Sequence, residues 1–87
     1  MTHYIEIRGM AYSPPELTIR IGDEIIWINK DSMGHTATRK EPPEFDTGLI
    51  VKNASSDPIR FNNVESELVY FCLPHSFMNG KIIVLQN

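Results

Sequence analysis

Cysteine is almost missing from this chain of 87 residues. Cys72 is the only one, so no disulfide can form within it, and the residue needs another explanation, as core, as reactive thiol or as ligand. Long apolar runs are missing too. A membrane span takes roughly 18 consecutive apolar residues, whereas the longest candidates here, Ile25 to Ile28 and Ile82 to Leu85, are strand-sized. Basic residues are the minority, eight against eleven Asp and Glu for a net charge of −3, which leaves no electrostatic footprint for nucleic acid. The opening Met1-Thr2-His3-Tyr4 lacks the basic region and apolar stretch of a secretory signal. A cytoplasmic chain, or one whose leader has been replaced by a start Met, is the expectation. No amphipathic pattern of three helical turns, internal repeat or low-complexity tract occurs. A second domain does not fit in this length, and 41% hydrophobic content suffices for one core, so one domain over residues 1–87 is expected.

What is present is strand periodicity. Tyr4 to Arg8 and Leu17 to Ile21 alternate, and Glu24 to Asn29 is rich in β-branched and aromatic residues. Pro58 to Asn62, Glu67 to Cys72 and Lys81 to Leu85 repeat the pattern, with a short strand at most over Leu49 to Val51. Turn signals separate them at Ser13-Pro14-Pro15, Gly22-Asp23, Lys30-Asp31-Ser32, Pro42-Pro43 and Asn79-Gly80. The spacing predicts an all-β sandwich of two sheets with little or no helix.

The chemistry concentrates in Cys72-Leu73-Pro74-His75-Ser76-Phe77-Met78. A thiolate, an imidazole and a thioether stand at intervals of three between two strands, so one tight loop can turn all three donors toward a point. One Cys with two His and a weak axial Met is the set that suits copper in both oxidation states. The second imidazole must come from His3 or His35. His35 follows a strong strand and a turn, which places it at the same end as the loop after Cys72, whereas His3 precedes the first strand. The predicted metal ligands are therefore His35, Cys72, His75 and Met78, holding one copper ion. Each residue alone has an ordinary reading: a hydrogen-bonded histidine, a core methionine, a buried thiol. Their joint occurrence with the only cysteine carries the signal. Four side chains close the site without an open position, a general base or a second metal, so no enzyme is expected.

With these residues in view, the chain resembles the cupredoxins, the type 1 blue-copper family, and within it the short-loop amicyanin group. The resemblance runs from Met10-Ala11-Tyr12, through Leu17-Thr18-Ile19-Arg20-Ile21-Gly22-Asp23-Glu24-Ile25-Ile26-Trp27-Ile28-Asn29, to Cys72 through Lys81. Plastocyanin and pseudoazurin place the Met two residues later. The resemblance implies a Greek-key sandwich of about eight strands, one-electron transfer between redox proteins and a periplasmic home. It also implies an electron-transfer and docking patch of Met10, Met33, Pro74, His75 and Phe77, used by a monomer in brief encounters, although Met10 and Met33 read equally well as core. Two positions depart from the family. Thr36 and Leu73 stand where an Asn and often a hydroxyl residue brace the ligand loops. The Thr36 N–H remains available to the Cys72 sulfur, while the side-chain brace is expected to be lost. A copper chaperone or sequestering protein is the alternative, against which the absence of Met-rich or CxxC delivery motifs counts.

Overall fold

Alternation becomes structure most plainly in one strand. In Glu24–Asn29 the residues Ile25, Trp27 and Asn29 are fully buried, while Glu24, Ile26 and Ile28 between them are only partly so. A side-chain period of two leaves no other arrangement once one face meets a core. The computed structural model describes residues 1–87. Its strands are β1 (Thr2–Ile7), β2 (Tyr12–Ser13), β3 (Glu16–Arg20), β4 (Glu24–Asn29), β5 (Thr38–Arg39), β6 (Phe45–Asp46), β7 (Ile59–Arg60), β8 (Glu65–Phe71) and β9 (Asn79–Leu85). There is no helix.

The strands form two mixed sheets, one in the order β2-β1-β4-β7 and the other β3-β9-β8-β5-β6. The pairs β1 with β4 and β3 with β9 are parallel, and the rest are antiparallel. Between the sheets lies one hydrophobic cluster, with Ile5, Ile7, Ile25 and Trp27 from the first sheet meeting Ile19, Leu68, Tyr70, Ile82 and Val84 from the second. Each fully buried Ile, Leu or Val contributes about 1.5–3 kcal/mol relative to exposure. Trp27 packs edge-on against Tyr70 at 5.5 Å between ring centroids and donates its indole N–H to the Tyr70 hydroxyl at 3.3 Å. Gly80 faces Tyr70 across the β8–β9 ladder, and a Cβ there would lie 2.3 Å from the phenol, so only glycine fits.

Nine strands replace the expected eight or so. The unforeseen ones, β2, β5 and β6, have two residues each, too few for alternation to register. Leu49 to Val51 is no strand but a single bridge from Ile50 to His35. The segment from Pro58 shrinks to Ile59–Arg60, since Pro58 has no N–H for the ladder. The parallel β1–β4 pair brings Ile7 opposite Asn29, so the chain leaves both strands at the same end. The loop between Phe71 and Asn79 closes over that end, and there the donors meet.

Candidate metal centre

The Cys72–Met78 loop owes its shape to its own backbone. His75 N–H donates to the Cys72 carbonyl at 3.2 Å, Met78 N–H to the His75 carbonyl at 2.9 Å, and Cys72 N–H to the Met78 carbonyl at 3.3 Å. Two successive four-residue turns, sharing His75, make residues three apart share a face, the condition that Cys72, His75 and Met78 need.

His35 reaches the same point from the other sheet. Its backbone exchanges both hydrogen bonds with Ile50, at 3.2 and 2.8 Å. Asn29, fully buried at the end of β4, braces the approach: its amide donates to the carbonyls of Met33 and Ile50, both at 2.8 Å, and its carbonyl accepts from Asp31 N–H at 2.9 Å. Tyr12 fixes the next residue, its hydroxyl donating to the Thr36 carbonyl. Burial, and then the charges of Cys72 and Tyr70, push the Tyr12 phenol above its ordinary range, so it stays a donor.

The ring of His35 has zero exposure, and its Nε2 lies 3.0 Å from Asp31 Oδ2. Burial opposes charge on Asp31, but the backbone N–H groups of Met10 and Gly9, at 2.9 and 2.7 Å, together with His35 hold the carboxyl below its usual range. An ionised carboxylate only accepts, so in the neutral ring Nε2 carries the proton and Nδ1 presents a bare lone pair. That Nδ1 is 3.5 Å from Cys72 Sγ, and His75 Nδ1 is 3.6 Å from it on the other side. The ligand atoms of His35, Cys72 and His75 all lie within 4.8 Å of one another. With metal–nitrogen bonds of about 2.0 Å and metal–thiolate bonds of about 2.3 Å, a trigonal centre separates N from S by roughly 3.7 Å. The donors fit a first-row metal, and a soft thiolate with two imidazoles fits copper.

The sequence of residues 1–85 matches the family model described as copper binding proteins, plastocyanin/azurin family. The chain belongs to that family. Amicyanin from Paracoccus versutus is 35% identical over 83 residues, covering 92% of this chain and 62% of the relative. Amicyanin from Paracoccus denitrificans is 31% identical, over 92% of this chain and 63% of its own length. The chain thus spans under two thirds of these curated relatives. The crystal structure of the Paracoccus versutus protein superposes with a TM-score of 0.86 at 34% identity, covering 94% of this chain and 79% of the other.

Within this cupredoxin frame the expected residues divide. His35, Cys72 and His75 come together, with His35 and Cys72 wholly buried and His75 partly open to solvent. Met78 is buried at the end of the same loop. His3 lies elsewhere, bound through Nε2 to Asp23 at 2.8 Å by the β3–β4 turn. Pro74 and Met33 are exposed, and Phe77, 69% exposed, has its ring centroid 6.2 Å from that of His75. Met10 is half-buried and packs on the core, so it serves both readings. Leu73 adds an exposed apolar side chain that the sequence reading left out.

One expectation fails. The Thr36 N–H does donate to Cys72 Sγ, at 3.4 Å, but the side-chain brace is not lost. Thr36 Oγ1 accepts from the Leu73 N–H at 3.0 Å and so ties the His35 segment to the Cys72 loop with one hydroxyl. Asp31 and Asn29 also went unread as site residues. Asp31 stands four residues before His35, a spacing that acquires meaning only once the Lys30–Gly34 turn is known to fold back.

Proposed function

We propose that this cupredoxin is a mononuclear type 1 copper protein that carries single electrons between redox partners, with His35, Cys72, His75 and Met78 as its ligands. The observation that carries the reading is the pair of imidazole Nδ1 atoms 3.5 and 3.6 Å from one buried thiol sulfur. Bound there, copper supplies one-electron chemistry by cycling between Cu(II) and Cu(I).

The chain's part is to hold donors still. Asp31 fixes the His35 ring, Thr36 N–H and the turn bonds fix Cys72 and His75, and the buried Met78 would supply a weak thioether donor that favours the reduced state over a hard oxygen donor. Donors already in place before the metal arrives need little rearrangement when its charge changes. Of the two imidazoles in the cluster, His75 is the one open to solvent and is the natural port for electrons. Pro74 and Phe77 on the same loop, with the exposed Met33 and the half-buried Met10, would make an apolar collar suited to brief encounters with partner proteins. One domain over residues 1–87 is enough for this role, and a periplasmic location goes with the family likeness.

Adding Cu(II) to the apo protein should produce an intense thiolate-to-copper band near 600 nm (roughly, for this site type) with narrow hyperfine splitting in the paramagnetic-resonance spectrum. Colourless protein holding only labile Cu(I) would instead support a chaperone, and no uptake at all would overturn the copper reading.

A further inference from the structure

The Thr36 hydroxyl belongs to a longer chain, and its direction is determined. Thr38 has one hydroxyl proton and directs it to Asp46 Oδ1 at 3.1 Å. Its oxygen must then accept from Thr36, 2.8 Å away. Thr36 Oγ1, its proton so used, accepts from Leu73 N–H at 3.0 Å. Every donor points the same way, from the amide after Cys72 to a carboxylate that also receives Gly48 N–H at 2.8 Å. Strand register carries the chain across the sheet: Thr38 pairs with Asp46 on one side and with Phe71, the residue before Cys72, on the other. Thr36 and Thr38 are buried, whereas Asp46 faces solvent.

Hydrogen bonds aligned head to tail polarise one another, so the acceptor strength of Thr36 Oγ1 is raised by the negative end of the chain. A strong acceptor there holds the Leu73 N–H, while Thr36 N–H is the backbone donor on Cys72 Sγ. Donors on a thiolate draw charge from it and favour the reduced metal, and a nearby negative charge does the reverse. We propose that Thr36, Thr38 and Asp46 form a positioning relay that restrains the Cys72 loop and lowers the reduction potential of the centre. This rests on the copper reading given above.

The test uses Thr36→Val, Thr38→Val, Asp46→Asn and Thr36→Ser with two readouts: hydrogen exchange of the Leu73 amide in apo protein, and the potential of the copper-loaded protein. Thr36→Val should speed Leu73 exchange by roughly tenfold, the equivalent of one hydrogen bond, and raise the potential. Thr38→Val and Asp46→Asn keep the Leu73 acceptor and serve if Thr36→Val fails to fold. Both should raise the potential by less, and Thr36→Ser should restore both readouts. Unchanged Leu73 exchange in Thr36→Val overturns the relay, as do potentials in Thr38→Val and Asp46→Asn equal to wild type. If wild-type protein takes up no copper, the copper reading fails while the exchange measurement still decides the restraint.

Discussion

A histidine paired through Nε2 with an aspartate occurs twice in this protein, once at each end of the β1–β4 pair. His3 meets Asp23 at 2.8 Å, and His35 meets Asp31 at 3.0 Å. The pairs differ in what surrounds them. His35 is wholly buried and its second nitrogen faces a thiol sulfur, whereas the His3 side chain is 20% exposed and belongs to no cluster of possible ligands. A carboxylate selects a tautomer in either place, and only where Nδ1 converges with other donors does that selection offer a lone pair to a possible metal. The pair at the far end ties the start of β1 to the β3–β4 turn, with the Met1 amine on Asp23 Oδ1 at 3.1 Å.

The largest effect comes from removing what makes the two ends unequal. Cys72→Ser should abolish the blue band altogether, while the apo protein keeps its strand spectrum, because the core between the sheets closes without metal. A variant that still turned blue would refute the ligand assignment. Next in size is the comparison of the two carboxylates. Asp31→Ala should weaken copper binding about 10–100-fold, the usual result of deleting a carboxylate behind a ligand imidazole, and Asp23→Ala should leave the affinity as it was. Competitive titration with a chelator measures both. Equal losses would mean that Asp31 acts through general stability rather than through His35.

How much of this was readable beforehand follows from the range of each interaction. The long strands and the Cys72–Met78 loop are local patterns, written in alternation and in spacing by three, and they read directly. Asp31 did not, because its link to His35 depends on a turn and its links to Gly9 and Met10 depend on the parallel pairing of β1 with β4. Thr36 was misread for a related reason. The family resemblance makes an Asn brace the expectation, and nothing local shows that a hydroxyl of different reach finds the Leu73 amide and, through Thr38, the neighbouring strand β6. The tight turn at Gly9-Met10, both residues with positive φ at 63° and 61°, joins β1 to β2 without the Asn-Gly signal such turns favour. Its left-handed methionine points its N–H at Asp31.

A smaller effect separates the ends by pH. The Asp23 carboxyl is held well below the usual carboxylate range, first by the His3 hydrogen bond and then by the Arg20 N–H at 3.0 Å, with burial opposing. A depressed folded-state value means stability that is full above the unfolded carboxylate pKa of about 3.9 and is lost as pH falls through the folded value. Wild type should therefore melt above Asp23→Asn at neutral pH, and the gap should close as pH drops below about 4. Parallel melting curves down to the acid limit would show that the ionised form of Asp23 adds nothing.

The smallest expected effect is the most discriminating for the comparison. His3→Ala removes the one imidazole outside the cluster, and His3 sits by the β3–β4 turn while the thiol lies beyond the opposite strand ends. The blue band, its hyperfine splitting and the potential should all match wild type. The melting temperature should fall slightly at neutral pH, because Asp23 keeps the Arg20 N–H and the terminal amine as partners and loses one of several hydrogen bonds. In Asp23→Asn, where the charge has already gone, adding His3→Ala should cost less than it does in wild type, since residues that touch do not contribute independently. A changed copper spectrum in His3→Ala would mean that the two ends communicate, and the ligand set built on His35 would then have to be reconsidered.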